Sequence, residues 1–226
     1  LSITETFTSN SGTLNANDNV VLKSTSFNNT AIVPQSSGGT VNGIRVERFI
    51  PANRAFRFLA SPVTTSGTIK PNIFDNCQQG GLNDGDSGYR ANVGTQITGG
   101  TTGDGFDQSN TDNPSLYTFD NSAGSYTAVS TANSIPTNGT PLETGQGYYL
   151  LVRGDRSIDL TINDQTLKPT TLETTGSLEI GNFIYNINSV GNSDGFVLIA
   201  NPYQAPVDLT SVVNNSSNSN IVTTEA

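Results

Sequence analysis

Residues 44–49 read Ile-Arg-Val-Glu-Arg-Phe, and residues 148–152 read Tyr-Tyr-Leu-Leu-Val. In the first stretch two apolar side chains alternate with two charged ones, which is the pattern of a β-strand with one face in a core and one face in water. The second stretch is apolar at every position, which is typical of a central strand covered on both sides. Neither stretch has the apolar period of an amphipathic helix. Together they predict an all-β fold.

Further short β-type runs occur along the whole chain, and turn-forming pairs such as Asn42-Gly43 and Asn138-Gly139 separate them. This spacing is typical of a β-sandwich. We therefore predict an antiparallel β-sandwich with an N-terminal entry segment that is either β-helix-like or extended. The predicted strands lie at residues 3–8, 20–24, 41–50, 55–60, 116–119, 126–130, 148–152, 158–162, 183–187 and 196–200.

The sequence predicts three parts along the chain. Residues 1–40 form a β-rich entry segment, the end of a repetitive β region, and residues 41–213 form the β-sandwich domain. Residues 214–226 form a polar tail that we expect to continue into a further segment. Residues 72–113 are rich in Gly, Asp and Asn and lack a clear strand pattern. Because a loop of that length in a compact domain is usually functional, we expect a binding site there.

Charge excludes several classes of partner. The formal net charge is −9 and the isoelectric point is near 4.2, so the protein repels polyanions. No basic cluster offsets this charge, and nucleic acid and anionic membrane surfaces are therefore not expected as partners. No apolar run in the sequence is long enough to cross a bilayer, so we also expect no membrane insertion.

Catalysis is not expected either. The sequence contains no histidine, which removes Ser-His-Asp and Cys-His chemistry and histidine-bound zinc. A glycosidase-like pair of carboxylates stays formally open, and its candidates are Glu47, Glu143, Glu173 and Glu179. For Glu47 the simpler interpretation is an ion pair with its arginine neighbours on the surface of a strand. We therefore predict a protein that is not an enzyme.

Two short acidic stretches could bind a metal ion. Asp84 and Asp86 lie in Asn-Asp-Gly-Asp-Ser-Gly, and Asp104 and Asp107 lie in Asp-Gly-Phe-Asp. Both stretches place carboxylate oxygens at short spacing on a glycine-containing backbone, and calcium binds six to eight such oxygens. A structural calcium ion held by these four residues is one hypothesis, although the sequence makes no cofactor certain. Ordinary turns stabilised by Asp and Asn side chains are the alternative.

Aromatic residues could form a carbohydrate-binding surface. Tyrosine rings stack on sugar faces while their hydroxyl groups find polar partners. Within or next to the long loop, Tyr89, Phe106 and Tyr117 are the candidate ligand-binding residues. The alternative is that the aromatic residues pack at the edges of sheets. The other tyrosines available for either role are Tyr126, Tyr148, Tyr149 and Tyr203.

Several strings of the sequence resemble a known group of proteins. They are VERFIPANRAFRFLASPV at 46–63, GTQITGG at 94–100, GFDQSNTDNPSLYTFD at 105–120, GQGYYLLVRGDRS at 145–157 and LIANPYQAPVDL at 198–209. Together they resemble a β-rich region of large surface proteins of Bacteroidota that are exported by the type IX secretion system. The resemblance implies an extracellular or cell-surface location in a bacterium, and it implies no particular activity.

Two classes of function follow from these observations. The first is a non-catalytic structural or adhesive module that assembles into a fibre, stalk or coat, with other copies of itself or neighbouring domains of the same protein as partners. The second is a domain that binds extracellular polysaccharide and depends on calcium if the acidic stretches hold the ion. Regular assembly of the protein would favour the first class, and clustered exposed tyrosines or an ordered metal ion would favour the second.

Overall fold

The computed structural model describes residues 1–26, 28–36, 38–64, 85, 87, 89–104, 106–130, 144–162, 164–185 and 197–218. Within these residues the chain forms eleven β-strands and almost no helix. The helical segments are α1 (Leu209–Val213) and two single 3-10 turns at Thr102–Asp104 and Ser216–Asn218. The predicted all-β class is therefore confirmed. In the same part of the chain, no helix is long and apolar enough to span a membrane.

The strands form two large sheets and one small hairpin. In chain order the strands are β1 (Ser2–Ile3), β2 (Thr13–Leu22), β3 (Ser24–Ser26), β4 (Asn29–Thr30), β5 (Thr40–Ile50), β6 (Ala55–Ala60), β7 (Val63–Thr64), β8 (Leu116–Asp120), β9 (Ser125–Ala128), β10 (Gly147–Val152) and β11 (Thr170–Leu178). Sheet I has the order β1-β2-β5-β11-β7, sheet II has the order β6-β10-β8-β9, and β3 pairs with β4.

Sheet I is mixed, which corrects the prediction of an antiparallel arrangement throughout. β1 pairs with β2 in parallel and β2 pairs with β5 in parallel, whereas β11 pairs antiparallel with β5 and β7. Sheet II is antiparallel, as predicted. Residue 40 is the predicted boundary between the entry segment and the domain. Because β2 lies before it and pairs with β5, which continues after it, the two predicted parts share one sheet. The division into three parts stays a prediction.

A local irregularity lies where β2 pairs with β5. The register shifts between Asn15 and Val20, and within this shift Asn17 and Asp18 have φ angles of 47° and 61°. The facing residue is Gly43, with φ of 60°, and a Cβ atom there would lie 3.1 Å from the Asn17 nitrogen. Asn, Asp and Gly are the residues that tolerate this left-handed region best, which explains why the bulge forms here.

The apolar side chains form two core clusters. One joins the inner face of sheet II to two residues of sheet I, and Ile97 and Phe106 close it from the connecting loops. Its members from sheet II are Leu116, Tyr148, Leu150 and Val152, and those from sheet I are Ile50 and Leu172. The other cluster lies within sheet I and its loops and contains Leu22, Val33, Val41, Ile44 and Val63 among others.

Some predicted strands are wrong. Residues 158–162 form turns, because Asp159 accepts hydrogen bonds from the nitrogen and hydroxyl of Thr161 and so bends the chain locally. Residues 183–185 and 197–200, the described parts of two other predicted strands, pair with no sheet. β11 was missed, since its threonines interrupt the apolar pattern although they favour strands.

Candidate functional site

The outer face of sheet II carries six aromatic side chains. Residues of a strand point alternately to opposite faces of a sheet, so the inward positions of Tyr148 and Leu150 place Tyr149 on the outer face. Tyr149 pairs with Phe58 on one side and with Tyr117 on the other. We call the following six residues the aromatic face: Phe56, Phe58, Tyr117, Phe119, Tyr126 and Tyr149.

The rings of the aromatic face contact one another. Phe56 stacks on Tyr149 with ring centroids 4.6 Å apart and an interplanar angle of 16°. Tyr149 also lies 4.9 Å from Phe58 and 5.4 Å from Tyr126, and Phe119 meets Tyr126 edge to face at 5.0 Å. Aromatic pairs at such distances stabilise each other by about 0.5–1.5 kcal/mol beyond the area they bury. The rings are therefore held in place before any ligand arrives.

The aromatic face is open to solvent. The exposed fractions are 62% for Phe58, 46% for Tyr126 and 39% for Phe56, and the other three rings are half-buried. Six such side chains, each of about 150–250 Å² and about a third exposed, present an apolar patch of about 400 Å². A patch of this size is at the level where exposed apolar surface usually has a function.

Polar groups on this face are few and uncharged. The outward positions of the four strands of sheet II carry no charged residue. The Tyr117 hydroxyl donates to the Pro114 carbonyl at 3.2 Å. No hydrogen bond joins the hydroxyls of Tyr126 and Tyr149 to the described part of the protein. Both groups are therefore available to a ligand.

A segment without regular structure, residues 197–204, borders the aromatic face. Tyr185 fixes it: its hydroxyl donates to the Gly145 carbonyl at 2.9 Å and accepts from the Ala200 nitrogen at 3.0 Å. Leu198 lies over Gly147, where a Cβ atom would approach the leucine side chain to 2.9 Å. A cleft of about 260 Å³ opens between this segment and the free edge of β6, and Phe58 lines it. Phe58 is thus shared by the aromatic face and the cleft.

The three predicted ligand-binding residues do not lie together. Tyr117 belongs to the aromatic face. Phe106 has no exposed surface and packs in the core cluster beneath sheet II, so its ring cannot stack on a ligand. The Tyr89 hydroxyl donates to the Asp155 carboxylate at 3.4 Å, away from the face.

The predicted metal ligands are not assembled in the described residues. Asp107 is buried, and its carboxylate accepts from Arg156 at 2.7 Å and 3.1 Å and from the Ile97 nitrogen at 3.0 Å. These partners occupy the oxygens that a calcium ion would need. Asp104 ends the 3-10 turn, and Asp84 and Asp86 lie outside the described residues. Across the described ranges, no three acidic or thiol side chains come close enough to hold a metal.

Two of the candidate catalytic acids lie side by side in sheet I. Glu47 and Glu173 are direct cross-strand partners, and both are buried. Lys23 forms an ion pair with Glu47, and Arg90 binds both oxygens of Glu173 at 2.8 Å and 2.5 Å. The expected surface ion pair of Glu47 is thus wrong, because the residue is internal. A glycosidase needs acids on either side of a substrate, whereas these two occupy neighbouring strands of one sheet.

No family model, no curated protein and no solved structure matches this chain. The site is therefore interpreted from its own geometry.

The sequence prediction overlooked the phenylalanines of the aromatic face. Phe56 and Phe58, like Tyr117 and Phe119, are two residues apart and so share one side of a strand. This spacing is the signal that could have found them. The position of Tyr149 was hidden because β10 is apolar on both faces, which suggested complete burial.

Proposed function

We propose that this chain is a non-catalytic adhesive module of a secreted bacterial surface protein, and that the aromatic face binds extracellular polysaccharide. The observation that carries the proposal is the exposure of six mutually packed aromatic rings on one uncharged sheet face. An adhesive module needs a binding surface but no reacting groups, and this face has that character.

The chemistry of the aromatic face suits a sugar polymer. The flat faces of sugar rings carry C–H groups that pack on aromatic rings, and their hydroxyls need polar partners. Phe58 supplies an exposed ring, and Tyr126 and Tyr149 supply rings with available hydroxyls. A row of rings across three strands can hold several units of an extended chain at once. The predicted role of Tyr117 in ligand binding is retained within this larger set.

A second copy of the chain is a poorer occupant of this face. A stable protein interface usually buries about 800 Å² on each partner, twice the apolar area of about 400 Å² offered here. Weak or transient contacts between copies need less, but they would not explain why the rings are organised before binding. We therefore assign the face to a polymer of sugars, and a second copy is an outcome that the experiment below can detect.

The fold that we propose around this face is a β-sandwich of sheets I and II, with the parallel strands β1, β2 and β5 as β-helix-like rungs. The β-sandwich is supported by a core cluster that contains side chains of both sheets. The β-helix-like rungs are supported by the parallel pairing of β1 with β2 and of β2 with β5. This pairing also favours a second candidate function, stacking on a neighbouring domain through the edge of β1. Electron microscopy of the native parent protein would reveal such stacks. A structural calcium ion stays a prediction, because Asp84 and Asp86 lie outside the described residues.

The proposed function is tested by binding to a panel of insoluble and soluble extracellular polysaccharides, measured by co-sedimentation and calorimetry. Phe58→Ala and Tyr126→Ala should each weaken binding about tenfold, which corresponds to about 1.4 kcal/mol. Leu209→Ala is the matched control, because Leu209 is 70% exposed on α1 and lies outside the face. Equal binding by all four proteins, or binding by none, would contradict the proposal. Analytical ultracentrifugation of the same samples detects self-association through the face.

A further inference from the structure

Two arginines meet at one end of the aromatic face. β6 and β10 pair antiparallel, and the pairing ends where Ala55, the first residue of β6, lies opposite Val152, the last residue of β10. Arg54 directly precedes β6 and Arg153 directly follows β10, so the two side chains leave from adjacent ends of the two strands. Arg54 is two residues from Phe56, which is about 7 Å along an extended chain. The distance from the arginines to the aromatic face is therefore about the length of one or two sugar units.

Both arginines line a small cleft of about 50 Å³, whose walls include Ile158, Leu160 and Gln165. We call this cleft the arginine pocket. A water molecule needs about 10–15 Å³ of such a volume, so the cleft has room for a few waters or for a small polar group such as a carboxylate.

The two guanidinium groups have no carboxylate partner in the part of the chain that the structure describes. Among the described residues, no carboxylate lies within 4.0 Å of Arg54 or Arg153. Arg153 donates one hydrogen bond, from Nη2 to the Thr98 hydroxyl at 3.2 Å, while its Nη1 is buried without any partner. A buried donor without a partner costs about 1–3 kcal/mol. Because Nη1 has almost no accessible surface, an anion in the pocket would contact the exposed Arg54 and the other nitrogens of Arg153.

The electrostatic surroundings agree with this interpretation. Burial first, and the charge of Arg54 second, lower the pKa of Arg153, while the charge of Asp107 raises it. The carboxylate in the wall, Asp159, is exposed and accepts two hydrogen bonds from Thr161, at 2.8 Å and 2.6 Å through the same oxygen. One of its oxygens is thereby used in a turn. Two cations line the pocket, and no carboxylate of the described residues forms an ion pair with either of them, so the pair can accept an anion.

We propose that the arginine pocket binds the carboxylate of an acidic sugar, so that the polysaccharide on the aromatic face contains uronic acid units. This inference rests on the proposed function for the sugar rings, and it adds the charged group that selects among polysaccharides. Guanidinium groups bind carboxylates in a planar, two-pronged geometry. One uronate unit would place its carboxylate between Arg54 and Arg153 while neighbouring units pack on Phe56 and Tyr149.

The acidic character of the whole protein does not prevent this. The formal net charge of −9 is spread over the chain, and at physiological salt charges more than about 8 Å apart are largely screened. The paired arginines act within this distance of the bound carboxylate. Because the other acidic residues still repel a polyanion at low salt, selectivity for acid over neutral polymer should be greatest near physiological ionic strength.

The test compares each acidic polymer with its carboxyl-reduced form, which keeps the sugar backbone and removes the charge. Polygalacturonate, alginate and a glucuronate-containing polymer are titrated calorimetrically against the full chain. The protein should bind at least one acidic polymer about tenfold more tightly than its reduced form. Arg54→Gln should abolish this difference and leave binding of the reduced form unchanged. The control Arg45→Gln removes the same charge from a half-buried position on β5 that lines neither cleft, and it should preserve the difference.

The outcomes separate the two proposals. Equal affinity for acidic and reduced polymers, or a difference that survives Arg54→Gln, overturns the arginine pocket and leaves the aromatic face intact. If the protein selects only a sulfated galactan, the pocket binds sulfate and the proposal of a carboxylate ligand is overturned. If Phe58→Ala loses all binding while the wild-type protein still prefers acidic over reduced polymers, both the aromatic face and the arginine pocket are supported. A second readout needs no polymer: in ¹⁵N NMR of the arginine side chains, galacturonate but not galactose should shift the Nε–H signals of Arg54 and Arg153, and unchanged signals would contradict the pocket.

Discussion

The two faces of sheet II are built by the same four strands but differ in what their side chains do. The inner face consists of Leu116, Tyr148, Leu150 and Val152, all of them buried against sheet I and its loops. The outer face is also apolar, yet its rings are exposed or half-buried and pack mainly on one another. Hydrophobic character alone therefore does not distinguish core from binding surface here. The difference is that, within the described part of the chain, a second layer of protein lies over the inner face alone.

The largest effect is expected beneath the inner face, at the ion pair of Asp107 and Arg156. Both residues are buried, and the Asp107→Ala substitution leaves the guanidinium group without its partner. Breaking a buried pair in this way costs about 3–5 kcal/mol of the free energy of unfolding. Urea denaturation followed by circular dichroism measures this loss. A loss below about 1 kcal/mol would mean that water reaches Arg156, and the inner side of sheet II would not be a closed core.

The direct test of the comparison is a pair of substitutions on the two faces. Leu150→Ala removes a fully buried side chain and should cost about 2–5 kcal/mol of stability. Phe58→Ala removes an exposed ring and should cost less than about 1.5 kcal/mol, the value of one aromatic pair, while it weakens polysaccharide binding. Denaturation and binding are measured on both variants. If Phe58→Ala costs as much stability as Leu150→Ala, the aromatic face is part of the core.

The smallest effect concerns the segment that borders the outer face. Burial raises the pKa of the Tyr185 hydroxyl, against a lowering by the hydrogen bond that its oxygen accepts from the Ala200 nitrogen. A group whose pKa is raised by folding adds stability below its unfolded pKa and loses it as the pH rises through the folded value. Unfolding free energy should therefore fall above about pH 10, the ordinary pKa of tyrosine. Tyr185→Phe should remove part of this alkaline loss, and an identical pH profile in the variant would contradict the assignment.

The sequence by itself determined the all-β class and several strands. Val41–Ile50 and Tyr148–Val152 were recognisable because alternation and apolar runs are local properties of the chain. Missing histidines, low charge and the acidic balance likewise restricted the chemistry without any structure. The resemblance to secreted Bacteroidota proteins, and the location it implies, also came from the sequence and stays a prediction.

Only the tertiary structure decided which surfaces of the strands were covered. The sequence suggested a surface ion pair for Glu47 and a metal-binding role for Asp107, but cations that are distant in sequence, Lys23 and Arg156, pair with them inside the protein. The aromatic face likewise depends on register, because Phe58, Tyr149 and Tyr117 are far apart in sequence and meet only through pairing of β6, β10 and β8. Local pattern fixes the period of a strand, whereas burial depends on which other strand or loop folds over it. That is the physical reason why the fold class could be predicted and the site could not.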